Sequence, residues 1–425
     1  MKPDWLQLDA HHCWHPYTQH ALDPEPMAVT GAHGAWLELA DGRRVLDAIS
    51  SWWTCLHGHC HPRLLRAMAE QAARLDHVIY AGCAHEPAAR LAGALAGLAP
   101  RGLSRVFYSD DGSTAVEVAL KAAYLAWARR GEARRSVFLA LEGGYHGDTF
   151  GAMSAGDPQP FFRELSPFLF HVARVPADAA ALEQALAAQD GRVAALILEP
   201  LVQGAAGMKM HAPQFLRDAR RLCDARGVFL IADEVMTGFG RTGSLFACEQ
   251  AGIAPDLLCL AKGLTGGTLP LAVTLAREEI YAAFLGPDRG RALFHGHSYT
   301  ANPIACAVAL ESLRVLDEER TPQRLEQIGG WIENGLEGLR SAAGVREIRR
   351  CGGIVAVELD GAGGYLAPLG EHLRAACRGF DVLLRPLGNV LYALPPSCTT
   401  REECAFVAAA MTAACEKALG QGRGA

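Results

Sequence analysis

The feature that most constrains the fold is a series of near-continuous apolar runs in the middle of the chain, separated by amphipathic segments. Strands buried on both faces have unbroken apolar runs, whereas half-exposed strands alternate apolar and polar residues. Six runs have the buried character: SRVFYSD (104–110), SVFLALEG (136–143), VAALILEP (193–200), GVFLIADE (227–234), LLCLAK (257–262) and LAVTLA (271–276). The pattern predicts an α/β fold with a mixed, mostly parallel sheet flanked by helices.

Helices are predicted in the gaps between several of these runs. The segment STAVEVALKAAYLAWARRG has helical spacing, a capping box predicted from Thr114 and Glu117, and a terminal Gly131. A second helix is predicted over 213–227, with Pro213 at its start and Gly227 just past its end. In a sheet of this kind, ligand-binding residues collect at the carboxyl ends of the strands.

The sequence pattern changes after about residue 320. GIVAVELD, DVLLRP and NVLYALPP are short strand candidates separated by helices, and a long helix is predicted from about residue 400. We predict an N-terminal segment (1–60) that contributes to a small domain and to the active site. A large α/β domain (61–320) and a smaller α+β domain (321–425) follow it.

Composition limits the classes of partner. The chain has 425 residues and a net charge of −6, which gives no general attraction to nucleic acid or to anionic membranes. The apolar run 257–276 is interrupted by glycines and Pro270, which disfavours a membrane span. No basic and apolar leader opens the sequence, and thirteen cysteines occur without any C-x-x-C, so we expect reduced thiols and a cytoplasmic location.

The segment CLHGHCH (55–61) concentrates possible metal ligands. It offers two cysteines and three histidines, but a structural zinc site normally draws a second closely spaced ligand pair from elsewhere in the chain. No such pair is found in the sequence. We therefore predict no metal site.

Lys262 is the only charged residue in the apolar run 257–276. Burial of an unpaired lysine is costly, so a partner or a reaction should compensate for it, unless the side chain extends to solvent. Asp233 ends another apolar run, and both side chains could project from the same edge of the sheet. Gly112 and Ser113 open a helix whose free N–H groups suit a phosphate.

Together these groups suit pyridoxal phosphate. Its aldehyde needs a lysine to form a Schiff base, and its pyridine nitrogen needs an acid such as Asp233 to stay protonated. Tyr145, which follows a strand, could cover the ring. Taken singly, the Asp233 and Lys262 pair could equally be a structural ion pair, and Gly112 with Ser113 an ordinary helix start.

Motifs in fixed order along the whole chain resemble the class III aminotransferases, which have the type I fold of pyridoxal phosphate enzymes. The motifs are YHGDTFGAMS, EPLVQGAAGM, IADEVMTGFGRTG, LLCLAKGLTGG and HGHSYTANPIACAVAL. By this resemblance, Lys262 forms the Schiff base and moves the proton between substrate and cofactor. Asp233 pairs with the pyridine nitrogen, and Tyr145 stacks on the ring.

The resemblance also implies how the phosphate is held. Gly112 and Ser113 are expected to bind it, assisted by Ser298, which in the family reaches across from the partner subunit. A site built from two chains implies a homodimer. Asp111 departs from the small hydroxyl residue that is frequent in the family, and its carboxylate would repel a phosphate unless it points away or caps the turn.

HCWHPYTQ, SSWWTCLHGH and GGTLPLAVTLA resemble a branch of the family that transfers the amino group of S-adenosylmethionine to a long-chain amino ketone. The resemblance places Tyr17, Trp52 and Trp53 around the substrate. Neighbours in an extended chain point to opposite sides, so we favour Trp52 as the contact and Trp53 as packing. Arg385 matches the residue that binds the far carboxylate.

Two further substrate contacts follow from the same resemblance. Arg241 matches a position near the amino donor, and Tyr392 is expected near the same pocket.

Other functions remain open at this level. The chain could be a class III aminotransferase for an ω-amino acid or diamine with a 2-oxo acid acceptor. It could also take its amino group from lysine, or be a non-catalytic protein that retains the fold. Intact Lys262 and Asp233 weigh against the last alternative.

Overall fold

In the computed structural model, which describes residues 3–157, 159, 161–361, 365 and 367–422, a large sheet organises the middle of the chain. Within that range, the strands of this sheet are β4 (Leu103–Ser109), β5 (Val137–Leu141), β6 (Val172–Val175), β7 (Val193–Leu198), β10 (Phe229–Asp233), β11 (Leu257–Leu260) and β12 (Ala272–Arg277). The seven strands lie in the order β4-β12-β11-β10-β7-β5-β6. Strand β12 runs antiparallel to β11 and to β4, while the pairs among β11, β10, β7, β5 and β6 are parallel.

All six apolar runs are strands of this sheet, which confirms the predicted mixed, mostly parallel α/β fold. The edge strand β6 was not predicted. Its sequence VARV is short, half-buried and interrupted by Arg174, so it lacks the unbroken apolar run of the interior strands.

Successive residues of the interior strands pack on opposite faces of the sheet. In β7, Leu196 and Leu198 join a cluster with residues of the helices over 179–188 and 213–226, whereas Ala195 and Ile197 join a cluster with the helix over 112–129. Because side chains alternate along a strand, a strand covered on both faces must be apolar at every position.

Three smaller sheets surround the large one. The N-terminal strands are β1 (Val29–His33), β2 (Trp36–Leu39) and β3 (Arg44–Asp47), and β15 (Val382–Leu383) pairs parallel with β3. The C-terminal part forms the sheet β13 (Val345–Cys351), β14 (Ile354–Leu359) and β16 (Val390–Ala393), and a short hairpin joins β8 (Val202–Gln203) to β9 (Lys209–Met210). N-terminal and C-terminal segments therefore share a sheet, while the predicted domain boundaries themselves remain predictions.

The helices cover both faces of the large sheet and the outside of the small ones. They are α1 (Trp5–His12), α2 (Ser50–Trp53), α3 (Pro62–Arg74), α4 (Glu86–Leu98), α5 (Gly112–Arg129), α6 (Phe150–Ala155), α7 (Ala179–Ala188), α8 (Pro213–Arg226), α9 (Ala247–Ala251), α10 (Glu278–Ala282), α11 (Pro303–Glu318), α12 (Thr321–Gly335), α13 (Pro368–Cys377) and α14 (Arg401–Gly422). As predicted, α8 begins at Pro213 and ends against the left-handed Gly227. Across the described residues, we find no helix with the length and apolarity needed to cross a bilayer.

The N-terminus of α5 differs from the prediction in one detail. Asp111, and not Thr114, is the capping residue: its carboxylate accepts from the Thr114 backbone N–H, and the Asp111 N–H donates to the Thr114 hydroxyl. The predicted box of Thr114 with Glu117 is wrong because Glu117 is used elsewhere. Its carboxylate accepts from the Thr149 hydroxyl and the Gly151 N–H, at 2.7 Å each.

Replacement of Leu196 by alanine should lower the free energy of unfolding by about 3 kcal/mol, because the side chain is fully buried and leaves a cavity. The matched control is Leu98→Ala, since Leu98 is 42% exposed and should change stability by less than about 1 kcal/mol. Urea unfolding monitored by circular dichroism measures both. Equal losses in the two variants would contradict the burial of β7 on both faces.

Candidate active site

Lys262 lies two residues beyond β11, in a left-handed backbone conformation with φ of 49°. Burial lowers the pKa of its amine to about 8, although the carboxylates of Asp233 and Glu199 act in the opposite direction. The amine also lies 4.5 Å from the ring centroid of Trp53. A shift of this size leaves roughly a few hundred times more neutral amine at pH 7 than an ordinary lysine has. Lys262 is therefore poised to act as a nucleophile or a base.

Asp233 ends β10, the strand next to β11, so its carboxylate and the Lys262 amine project from the same edge of the sheet. One carboxylate oxygen accepts from the Val235 N–H at 3.1 Å, and the other bonds Nδ1 of His146 at 2.7 Å. His146 is buried, and its Nε2 has no hydrogen-bond partner among the described residues. The imidazole and the Val235 N–H therefore fix the direction of the Asp233 carboxylate.

Glu199 adds a second buried carboxyl group to this edge. It follows β7 directly, and its oxygens accept from the N–H groups of Tyr145 and Gly204. Burial raises the pKa of Glu199 to about 7, and the charge of Asp233 acts in the same direction. Its hydrogen bonds join the loop that carries Tyr145 to the end of β7.

Tyr145 and Tyr17 share one acceptor. Both hydroxyls donate to the Asp148 carboxylate, at 2.9 Å and 2.8 Å, and the two oxygens lie 3.4 Å apart. Burial raises the pKa of both phenols, so both remain protonated donors near neutral pH. The Tyr145 ring lies parallel to that of Phe162, with centroids 6.2 Å apart. The hydroxyl bonds hold Tyr145 and join the N-terminal segment to it.

The start of α5 packs closely against the residues around it. A Cβ at Gly112 would lie 2.6 Å from Val235, and a Cβ at Gly147 would overlap the Ser113 side chain, so both positions require glycine. The Ser113 hydroxyl accepts from the Asp148 N–H at 3.2 Å. Because Asp111 caps the helix, its carboxylate turns into the first turn, which is one of the two arrangements that lessen its repulsion of a phosphate.

Trp52 and Trp53 belong to α2, which is a left-handed turn and not the extended chain that the prediction assumed. The φ angles from Ser50 to Trp53 are 50°, 45°, 66° and 73°. A left-handed non-glycine residue costs roughly 1 to 2 kcal/mol, so the surrounding structure must hold this turn. Trp53 is 5% exposed with its ring over the Lys262 amine, while Trp52 is half-buried, and which of the two contacts a substrate stays a prediction.

Arg385 meets Trp52 and Tyr17 at the outer end of the site. Its guanidinium carbon lies 4.7 Å from the Trp52 ring centroid, and its Nη2 donates to the Tyr17 carbonyl at 3.4 Å and to the Tyr365 hydroxyl at 3.2 Å. The rings of Tyr17 and Trp52 are 5.4 Å apart. The predicted residues Tyr17, Trp52 and Arg385 thus lie together, as an aromatic wall with a cation at its end.

Two further predicted substrate residues lie behind the left-handed turn Ser50–Trp53, and their contact with a substrate stays a prediction. Arg241 is 1% exposed and Tyr392 is fully buried. The guanidinium of Arg241 donates to backbone carbonyls and to the Ser50 hydroxyl, while the Tyr392 hydroxyl accepts from the indole N–H of Trp53 at 3.0 Å. Both residues therefore contact and stabilise the left-handed turn Ser50–Trp53.

Ser298 is exposed, in the segment between α10 and α11. Its contact with the phosphate site of a partner subunit stays a prediction, because a single chain does not test it. The three histidines of CLHGHCH have different polar partners: His57 bonds Ser312, His59 bonds Asp47, and His61 pairs with Glu319. No group of three metal-ligating side chains occurs in the part of the chain that the structure describes.

Two residues of the site, Glu199 and His146, escaped the sequence analysis. Glu199 could have been predicted, because it directly follows a buried strand, just as Asp233 lies at the end of one. His146 had only its position beside Tyr145, and the role of Trp53 depends on a backbone conformation that the residues SSWW do not indicate.

The model of the aminotransferase class III family matches residues 17–415. The chain belongs to the class III aminotransferases. It is 51% identical, over 94% of its length and 97% of the relative's, to the adenosylmethionine-8-amino-7-oxononanoate aminotransferase of Synechococcus elongatus.

Solved structures agree with this membership. The enzyme of the same name from Methanocaldococcus jannaschii superposes with a TM-score of 0.92 at 33% identity, covering 97% of this chain and 98% of that one. An amine transaminase from an uncultivated Pseudomonas species, solved in its PLP-bound form, gives 0.90 at 32% identity over 96% and 99%. The family uses pyridoxal phosphate, and the latter structure contains it.

In the cofactor-free protein, acylation of Lys262 should follow a titration with its midpoint near pH 8, because the buried amine loses its proton early and reacts above that pH. Asp233→Asn should move the midpoint lower, since the attraction that favours the ammonium is lost. Mass spectrometry of the Lys262 peptide measures the rate, with Asp218→Asn on the exposed side of α8 as control. A midpoint above pH 10, or one insensitive to Asp233, would contradict the described environment.

Proposed function

We propose that this chain transfers the amino group of S-adenosylmethionine to 8-amino-7-oxononanoate, forming 7,8-diaminononanoate in biotin synthesis. The proposal rests chiefly on the 51% identity, across nearly the whole chain, to a relative whose name states both substrates. It is supported by the aromatic wall of Tyr17 and Trp52 with Arg385 at its end, which suits a long methylene chain that terminates in a carboxylate.

We propose pyridoxal phosphate as the cofactor, and the residues present fit it. The site offers an amine of lowered pKa, a carboxylate oriented by a buried imidazole, and a helix start where two positions tolerate only glycine. When bound, the cofactor supplies an aldehyde that condenses with amines and a ring that accepts electrons from a breaking C–H bond.

Lys262 has two roles in this proposal. Its neutral Nζ is the group that would hold the cofactor covalently, and after release the same atom can take a proton from the substrate carbon and return it elsewhere. The pKa of about 8 suits both roles, because the amine can accept and donate a proton near neutral pH.

Asp233 and His146 would act on the pyridine nitrogen. The carboxylate would hold a proton at that nitrogen by charge attraction, and the 2.7 Å bond to His146 fixes the direction in which the carboxylate faces. Gly112, Ser113 and the start of α5 would hold the phosphate through N–H groups and the positive end of the helix dipole.

The wall of the pocket would orient the amino ketone. Arg385 would bind its far carboxylate with the planar guanidinium, while Trp52 and Tyr17 cover the methylene chain and exclude water. The amino donor and the amino ketone would use the same amine of Lys262 in turn, because one reactive group serves both half-reactions.

Mixing the cofactor-loaded protein with S-adenosylmethionine should bleach the visible absorbance of the bound cofactor, and later addition of the amino ketone should restore it with release of the diamine. Lysine, alanine and ω-amino acids, tested in parallel, should leave the absorbance unchanged at equal concentration. Absorbance spectroscopy and mass spectrometry of the product measure both steps. Bleaching by another donor, with no change on S-adenosylmethionine, would contradict the proposed donor.

We further propose that the chain acts as a homodimer with Ser298 of each subunit assisting the phosphate site of the other. The loop around Ser298 presents large apolar side chains to solvent, with Phe294 at 78% and Tyr299 at 66% exposure, and a second copy of the chain would cover them. A reducing compartment such as the cytoplasm is proposed because all thirteen cysteines are unpaired.

Mixed dimers test the shared site. Lys262→Ala and Ser298→Asp should each be nearly inactive alone, whereas refolded mixtures should regain about a quarter of wild-type activity, since half the dimers are mixed and each contains one intact site. Co-purification with two different tags isolates the mixed dimers for assay. If Ser298 serves its own subunit, or if the protein is monomeric, no activity returns.

A further inference from the structure

The turn Ser50–Trp53 is the most strained segment next to the active site. Its four residues all have positive φ, and none of them is glycine. Non-glycine residues adopt this region singly as a rule, so four in succession persist only where the surroundings over-determine them. Such strain is typical of segments that place functional side chains.

A buried cation holds the inner side of the turn. Nη1 of Arg241 donates to the Ser50 hydroxyl at 3.2 Å, and Nη2 donates to the carbonyls of Trp53 and Cys55 at 3.3 Å and 3.1 Å. The same guanidinium reaches the Pro395 carbonyl at 3.3 Å. One side chain therefore bonds the start of the turn, its end and the segment that follows β16.

A buried anion holds the other side. The Asp47 carboxylate accepts from the Ile49 N–H at 3.2 Å, from the Ser51 hydroxyl at 2.7 Å and from His59 at 2.9 Å. Asp47 is fully buried, at the end of β3. Ser50 is thus tied to the cation and Ser51 to the anion, which fixes two successive residues of the turn.

The turn decides where both indoles lie. Trp53 covers the Lys262 amine, with its N–H on the Tyr392 hydroxyl, while Trp52 packs against Arg385 and Tyr17. If the turn returned to right-handed or extended backbone, the two rings would point in other directions. Trp53 would then no longer cover the Lys262 amine, and Trp52 would no longer pack beside Arg385.

We propose that Arg241 and Asp47 are positioning residues, which hold the left-handed turn Ser50–Trp53 and thereby set the shape of the substrate pocket. Both side chains are buried beside the turn, Arg241 at 1% and Asp47 at 0% exposure. The inference deepens the proposed function, on which its kinetic test rests. Arginine is required here because its planar fork reaches several carbonyls at once, whereas a lysine amine cannot bridge the two ends of the turn.

The test compares Arg241→Met with Arg277→Met in the cofactor-loaded protein. Arg277 likewise donates to backbone carbonyls, those of Ala254 and Pro255, and also pairs with Asp256, at the end of the sheet opposite the site. In Arg241→Met we expect the KM for the amino ketone to rise about tenfold or more, with kcat changed less than about threefold and cofactor absorbance retained. Arg277→Met should keep both constants within about twofold.

Tryptophan emission supplies a readout that does not depend on the substrate. Subtracting the spectrum of a Trp53→Phe variant isolates the emission of Trp53, which is 5% exposed and should shift to longer wavelength when Arg241 is replaced. Unchanged Trp53 emission together with a KM within about twofold of wild type would overturn the inference.

A second variant covers the case in which Arg241→Met fails to fold. Ser51→Ala removes only the hydroxyl bonded to Asp47, and we expect its KM to rise about threefold with the Trp53 shift in the same direction. No change in either quantity overturns the inference. If wild-type protein does not convert the amino ketone, the proposed function has failed, and the Trp53 shift alone decides the role of Arg241.

Discussion

The active site depends on one desolvated amine held beside a carboxylate. Lys262 and Asp233 leave neighbouring parallel strands at the same edge, so sheet geometry alone brings their charges together. Burial lowers the pKa of the amine, and the carboxylate limits how far it falls. The result is an amine with usable amounts of both protonation states near neutral pH, which is what covalent binding and proton transfer together require.

Contacts of the surrounding residues offset the unfavourable free energy of this arrangement. Asp233 is oriented by His146, Glu199 ties the Tyr145 loop to the sheet, and a left-handed turn supported by Arg241 places Trp53 over the amine. Buried charges and positive φ angles are unfavourable in themselves, and several of them lie together around this pocket. Their concentration beside the Lys262 amine supports a functional role for the pocket.

Prediction from the sequence succeeded where one local rule decides the structure. Apolar runs identify strands buried on both faces, so the sheet and the meeting of Asp233 with Lys262 could be predicted. It failed where contacts between residues far apart in the sequence determine the structure. The turn at Trp52 and Trp53 depends on Arg241, nearly 190 residues later in the chain. For the same reason, the sequence did not indicate that Arg241 and Tyr392 contact this turn.

The most direct test of the central claim is borohydride reduction of the cofactor-loaded protein, followed by peptide mapping. The chain contains only five lysines, Lys2, Lys121, Lys209, Lys262 and Lys417, so the attachment site can be assigned without ambiguity. The account predicts that the reduced cofactor is found on Lys262, and that Asp233→Asn weakens cofactor retention before reduction. Attachment to another lysine, or an unmodified Lys262 in a fully loaded sample, would contradict it.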